Sequence, residues 1–200
     1  MVVYYVLDLY NIERMRYFME KKYKLMEAGI EKNGIRLRRI AALKDFGDVK
    51  KGTLGGYVES ELNLSQYNNC WIYDKAKVYG GAFVCENAKI YEEAEVYGAN
   101  TIVEGNSIVH GKDTKICHSA MIFGNGRIRS SEDYIVLTDI GSVIDDSVTF
   151  YKSFNGGILV KSQWFEGNLS AFKKHISTTY SGKYKRCYYK AISLVKTYLK

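Results

Sequence analysis

The sequence predicts a mainly β protein: a left-handed parallel β-helix of six-residue repeats, with an N-terminal β-hairpin and a C-terminal α+β cap. Three observations carry that reading. An aliphatic residue recurs every six positions at Ile72, Val78, Val84, Ile90, Val96, Ile102 and Ile108. Four positions after each of the first four stands an alanine, Ala76, Ala82, Ala88 and Ala94, with Asn100 and Asn106 continuing the column. After a slip across residues 111–115 the pattern resumes at Ile116, Ala120, Ile122, Gly126 and Ile128.

A period of six fits neither the 3.6 of a helix nor the two of a plain strand. It fits a short strand, a sharp corner and a short strand, and three such units close a triangular coil of about 18 residues. The aliphatic side chain points inward, and the narrow corner admits only a small one. Turn-type pairs such as Gly80-Gly81, Glu86-Asn87 and Gly98-Ala99 lie between, and Gly and Asn accept the backbone angles a corner demands. Stacked coils pair their strands along one axis and share one continuous core. The residue after each aliphatic one then faces outward: Tyr73, Tyr79, Cys85, Tyr91, Tyr97, Val103 and Val109. Tyr73 stacks under Tyr91 and Tyr79 under Tyr97. These four tyrosines are candidates for a partner or ligand surface, because exposed aromatic faces mark interfaces. A homo-oligomer, a trimer first, is the expected use of such faces.

Upstream, Asn33-Gly34 is a hairpin turn signal joining residues 23–31 to 35–43. Downstream, residues 133–137, 147–151 and 158–163 read as strands separated by turns, notably Asn155-Gly156-Gly157. Asn168 can cap a helix carrying Leu169, Phe172, Ile176 and Tyr180. A second helix from about Lys183 carries Tyr184, Cys187, Tyr188, Ala191, Leu194, Val195 and Tyr198 as an apolar stripe. The organisation that follows is residues 1–18 as an N-terminal arm, 19–60 as the hairpin and the segment leading into the coil, 61–130 as the β-helix, and 131–200 as a module of three strands and two helices. That module would cover the open end of the coil, which otherwise exposes core and unpaired strand edges.

The six-residue repeat resembles the left-handed β-helix of the bacterial hexapeptide-transferase superfamily. The run RIAALKDFGDVKKGTLGGYVESELNLS, followed by NNCWIYDKAKVYG, resembles a group of β-helix proteins common in phage and prophage genomes. That resemblance extends from about Met19 to the end of the chain. It implies the fold and a mobile-element setting, without implying one agreed activity.

Composition narrows the rest. The 200 residues include 18 tyrosines and no proline, and the formal net charge is +7. Residues 161–200 hold nine Lys/Arg against one acid, Glu166, whereas residues 71–113 hold four lysines against seven acids. The positive field therefore belongs to the C-terminal module and suggests an anionic partner: nucleic acid, a nucleotide-like small molecule or an acidic host protein surface. Lys185, Arg186 and Lys190 are the candidate contacts. Cys70, Cys85, Cys117 and Cys187 are widely spaced, with neither a disulfide framework nor zinc-ligand spacing. No apolar run approaches the ~20 residues that cross a bilayer, so no membrane is expected and the location is read as the bacterial host cytosol. With no phosphate-binding glycine loop and no dinucleotide motif, no cofactor and no metal is expected.

The superfamily resemblance implies acyltransferases with a histidine general base near a subunit interface. Of His110, His118 and His175, His110 is the candidate, because it lies at a repeat corner beside the slip. Neither Cys85 nor Cys117 is given a histidine partner by sequence spacing, and Glu92-Glu93 read as solvated corner residues. The leading expectation is a non-catalytic phage-type binding protein, acting against a host defence component or sequestering an anionic nucleotide-like ligand. The alternatives are a hexapeptide acyltransferase and a structural β-helix of a virion.

Overall fold

The computed structural model describes residues 20–140 and 147–200; the arm expected over 1–18 lies outside the described residues. The chain enters as a hairpin, β1 (Tyr23–Lys32) and β2 (Ile35–Ala42), turned by Asn33 and Gly34 with φ of 51° and 76°. Both values are positive, as the tight turn between right-twisted strands requires. Strand β3 (Leu54–Val58) follows and is the first strand of the solenoid.

Three parallel ladders then rise together. One face continues from β3 through β5 (Lys77–Tyr79), β8 (Glu95–Tyr97) and β11 (Lys115–Ile116), with the hairpin at its lower edge. The second holds β4 (Trp71–Ile72), β7 (Lys89–Ile90), β10 (Ile108–Val109) and β13 (Arg127–Ile128). The third holds β6 (Phe83–Val84), β9 (Ile102–Val103) and β12 (Met121–Ile122). The expected β-helix is present. Its core is three aliphatic columns in register: Val58, Val78, Val96 and Ile116; Ile72, Ile90, Val109 and Ile128; Leu64, Val84, Val103 and Ile122. All twelve are essentially sealed from solvent.

The columns differ from the sequence expectation above the second coil. Val103 and Val109 point inward, where Ile102 and Ile108 were expected, and these two isoleucines are half-buried. The small positions are Thr101 and Ser107, while Asn100 and Asn106 are exposed. The cause is one extra residue in the corner after Tyr97, where Asn100 takes φ of 60°. A strand's side chains alternate between faces, so a one-residue insertion exchanges inside and outside, here through Val109, until a second added residue in the corner after His110 completes the slip. Asn106 instead completes a corner ladder: Asn69 Nδ2 donates to Asn87 Oδ1 at 3.3 Å, and Asn87 Nδ2 donates to Asn106 Oδ1 at 3.1 Å.

The slip leaves three hydroxyls, of Thr101, Ser107 and Thr114, where the repeat otherwise places alanine, and that of Thr114 donates to His110 O and Arg129 O. Thr101 Oγ1 and Ser107 Oγ are buried with no hydrogen-bond partner among the described residues. A buried hydroxyl without a partner costs about 1–3 kcal/mol. Ser107→Ala is therefore expected to stabilise the chain by up to about 1 kcal/mol in urea unfolding. A loss of stability would mean that the hydroxyl is paired.

The lower end is closed by an aromatic cluster. Trp71 is fully buried, with the Phe46 ring 5.3 Å and the Tyr23 ring 6.2 Å away, both edge-on. Buried Lys22 donates to the carbonyls of Tyr67 and Cys70 at 3.2 and 3.0 Å. Burial holds its ammonium below the ordinary lysine value.

The upper end is closed by an antiparallel sheet of β14 (Tyr134–Thr138), β15 (Ser147–Lys152), β16 (Ile158–Lys161) and β17 (Glu166–Asn168). Three strands were expected. The fourth is only three residues long, includes Gly167 and runs straight into a helix cap, so it carries no alternating pattern. Helices α1 (Leu169–Thr179) and α2 (Gly182–Tyr198) cover the outer face. As expected, Asn168 caps α1, its Oδ1 accepting from Ala171 N at 2.8 Å.

Strand β15 is buried on both faces, which makes the cap a three-layer stack. Val148 and Phe150 join the core under the helices, whereas Tyr151 joins the solenoid core. Thr149 Oγ1 accepts from Met121 N at 3.0 Å, and Tyr151 OH accepts from Phe123 N at 3.2 Å. The last coil would otherwise leave these donors unpaired, so the cap ends the ladder chemically as well as sterically.

Candidate functional site

The extra corner residue also reorders the outward columns, and with them every candidate for chemistry. Since Val109 pairs with Ile90 and Ile128, the residue that follows Tyr73 and Tyr91 in its column is His110, then Arg129. By the same register Cys117 follows Tyr79 and Tyr97. Cys85 is followed by Glu104, whose Oε2 lies 3.9 Å from the Cys85 sulfur. The strict six-residue count puts Val109 where His110 stands.

His110 is fixed by its backbone. Its N–H donates to Ile128 O at 2.9 Å, and its carbonyl accepts from Thr114 Oγ1 at 2.8 Å. The corner after it, with Gly111 at φ of 117°, is the second irregular turn of the solenoid. The imidazole is 27% exposed, and its Nδ1 lies 3.7 Å from Glu92 Oε1. Glu92 is positioned in turn by its own N–H, which donates to Asp74 Oδ2 at 3.0 Å. Glu92 is 56% exposed, as a corner residue is expected to be, and its carboxylate stands near the imidazole but beyond hydrogen-bond reach. Sequence reasoning could have found this pair from a regular coil of about 18 residues, which stacks position 110 over position 92.

The two tyrosine stacks form as expected, with centroids 4.3 Å apart for Tyr73 and Tyr91 and 5.2 Å for Tyr79 and Tyr97. They are not the open aromatic faces the pattern implied. Tyr79 is buried, and the other three are half-buried. Tyr73 OH donates to Asp48 Oδ1 at 2.8 Å, and Lys89 Nζ donates to Asp48 Oδ2 at 2.8 Å, so the loop after β2 closes over the first stack. Tyr79 OH donates to Glu95 Oε2 at 3.1 Å. A phenol held this way contributes its ring to packing and its hydroxyl to a polar network.

Above Tyr97 sits a cluster that spacing did not announce. The Cys117 sulfur is 2.9 Å from His118 Nδ1 and 3.8 Å from Tyr134 OH. A histidine is thus paired with Cys117 after all, from the very next position. Adjacent residues in a strand point to opposite faces, but His118 has left the strand: it and Ser119 take φ of 61° and 58°. The sulfur's hydrogen bond and then burial hold the Tyr97 phenol above its ordinary value, and burial and Cys117 do the same for Tyr134. Both phenols stay protonated and can donate. Cys85 is a different kind of thiol, pushed up to about 12 by burial and the Glu104 carboxylate.

The basic candidates lie on α2, away from the solenoid columns. Arg186 and Lys190 are exposed, while Lys185 is half-buried and donates to Ser177 O of α1 at 3.0 Å. The apolar stripe of α2 is rotated from the expected one. Tyr188, Ala191, Ile192, Val195 and Leu199 are buried, whereas Tyr184, Leu194 and Tyr198 are 40–53% exposed. Among the described residues no helix is long and apolar enough to cross a membrane.

Fold and columns together fit a hexapeptide-repeat β-solenoid protein. No family model matches the chain. Over 66 residues the chain is 44% identical to an Escherichia coli K12 protein described as the uncharacterized acetyltransferase YdcK. The stretch is 32% of this chain and 20% of that protein, so the match spans about a fifth of the relative's length.

Proposed function

We propose that the solenoid carries an acyl-transfer site in which His110 is the general base and Glu92 its positioning residue. The observation that carries this reading is the His110–Glu92 pair at 3.7 Å on the outer face of the coil. The partial likeness to a protein described as an acetyltransferase supports it. In the reaction, an amine or hydroxyl of the acceptor attacks the carbonyl carbon of an acyl thioester, and His110 Nε2 takes the proton lost by the nucleophile. The tetrahedral intermediate then expels the thiolate, which takes that proton and leaves as a thiol.

His110 lies outside the cavities of about 290 and 280 Å³, which open beside Leu159 and Arg36. In this proposal a second copy of the chain supplies a wall for the acyl donor, so a homo-oligomer, a trimer first, is part of it. The test is thiol release from acetyl-CoA with a panel of amine and hydroxyl acceptors. The wild type is expected to turn over, His110→Ala to lose at least 100-fold, and Glu92→Gln about tenfold. Absence of turnover across the panel, by protein whose oligomeric state native mass spectrometry has established, would sink the reading.

A second reading, a phage-type binding protein directed at a host component or an anionic ligand, draws on one observation: the cations gathered on α1 and α2. A pull-down from a bacterial lysate, compared with an Arg186→Gln/Lys190→Gln variant, tests it. A virion fibre role is disfavoured because both ends of the solenoid are closed by packed modules.

A further inference from the structure

The C-terminal helices carry a surface that acyl transfer does not use. Residues 167–200 contain eight Lys/Arg and no acid. The nearest acid in sequence, Glu166, is engaged by Lys161 at 2.8 Å. The apolar side of α2 is spent on the sheet, through Tyr188, Ile192, Val195 and Leu199. What remains outward is a polar row. Arg186, Lys190, Ser193 and Thr197 recur at helical spacing and are all exposed. Lys196 and Tyr189 flank the row on one side, Leu194 and Tyr198 on the other.

Two further details describe the charge and the ring that this face offers. Lys196 of α2 lies against Lys173 of α1 and holds the Lys173 ammonium below its ordinary value. Two ammonium groups brought together with no intervening carboxylate are relieved by a bound phosphate. And Tyr189 stands among these cations with a ring 40% exposed.

We propose that the outer face of α2 docks single-stranded nucleic acid, with phosphates on Arg186, Lys190 and Lys196 and a base stacked on Tyr189. A membrane surface fits less well, because an interfacial helix offers a broad apolar face and α2 leaves only Tyr184, Leu194 and Tyr198 outward beside Tyr189 and the cations. An acidic protein would satisfy the charges but gives the tyrosine ring no flat partner. A single strand supplies both, since regularly spaced phosphates accompany bases that have a π-face.

Fluorescence anisotropy with labelled 20-nucleotide oligo(dT) and oligo(U) tests the proposal, with a duplex of equal length and poly-glutamate as comparisons. At 50 mM salt at least one single strand is expected to bind more tightly than duplex or poly-glutamate. The triple variant R186Q/K190Q/K196Q is expected to weaken binding at least tenfold and to reduce the slope of log affinity against log salt by about 2. Tyr189→Ala is expected to weaken it at least fivefold and leave that slope unchanged. Lys50→Gln/Lys51→Gln, which removes two exposed charges from the loop after β2, serves as the control and should bind like the wild type. Thermal melting by circular dichroism checks that all variants fold. Failure of both single strands to bind, an unaffected triple variant, or equal affinity for duplex or poly-glutamate with a silent Tyr189→Ala would each overturn the proposal. None of these outcomes depends on acyl transfer.

Discussion

Ile90→Asp is expected to leave most of the chain unfolded at pH 7 and 25 °C. Ile90 is fully buried between Ile72 below and Val109 above. Removing the aliphatic side chain costs about 2–5 kcal/mol in lost burial and cavity. A carboxyl without a partner must stay protonated there, and raising its pKa by about three units costs a further ~4 kcal/mol at neutral pH. The sum is comparable with the 5–15 kcal/mol that holds a typical domain together. The second contribution has a definite sign. A group whose folded pKa lies above its unfolded value destabilises above that unfolded value, and the penalty fades as pH falls towards it. The variant should therefore recover relative to wild type near pH 4, and Ile90→Val should lose only about 0.5–1.5 kcal/mol. Circular dichroism melts at the two pH values decide it. A melting temperature within a few degrees of wild type at pH 7 would mean that position 90 is not sealed.

The solenoid was legible because its inward residues repeat with the coil. Ile72 to Val96 and Ala76 to Ala94 kept the period without interruption, and the structure keeps both columns. The reading failed where one residue was added after Tyr97. Ile102-Val103 and Ile108-Val109 are adjacent aliphatic pairs, so either member can satisfy an apolar column. Asn100-Thr101 and Asn106-Ser107 present the same ambiguity at the small position. Only the corner geometry, with Asn100 in the left-handed region, selects the second member each time. The cap was legible in its helices through Asn168, but α2 offers two overlapping apolar stripes. The sheet chose the one through Ile192 and Leu199.

Less of the site was legible. His110 was recognisable as a candidate, and a regular coil of about 18 residues stacks it over Glu92; the pair went unread because Glu92 was taken as a solvated corner residue. Cys117 and His118 met no rule of spacing, since neighbours along an extended strand diverge. They meet because His118 leaves the strand with a positive φ. Tyr73, Tyr79, Tyr91 and Tyr97 were placed correctly in their stacks but not in their surroundings. Their covers, Asp48 and Glu95, come from a loop and from the strand position before Val96, neither of which belongs to the repeating columns.

Glu95 carries the second large expected effect. Its carboxylate is nearly buried and receives Lys32 Nζ at 2.8 Å, Lys77 Nζ at 3.4 Å and Tyr79 OH at 3.1 Å. Lys32 ends the long strand β1, so Glu95 ties the hairpin to a strand of the third coil. Burial pushes the Glu95 carboxyl up, yet the Lys32 hydrogen bond, the Lys77 charge and the Tyr79 hydroxyl outweigh it and hold the group below its ordinary value of 4.5. Glu95→Ala strands two ammonium groups against the coil and is expected to cost about 3 kcal/mol, within the range for breaking a largely buried pair. For a chain of this size that lowers the melting temperature by about 6–12 °C. Glu95→Gln keeps an acceptor for Tyr79 and should cost less. Because the folded pKa is depressed, the stabilisation is fully present above about pH 4.5 and is lost as pH falls through the folded value. Urea unfolding between pH 3 and 6 should thus show wild-type stability falling at the acid end more steeply than that of Glu95→Gln. Lys32→Met in the Glu95→Ala background should restore part of the loss, since it removes one of the stranded charges. Equal acid sensitivity in wild type and Glu95→Gln, with Glu95→Ala within 0.5 kcal/mol of wild type, would mean that the hairpin is held by packing alone.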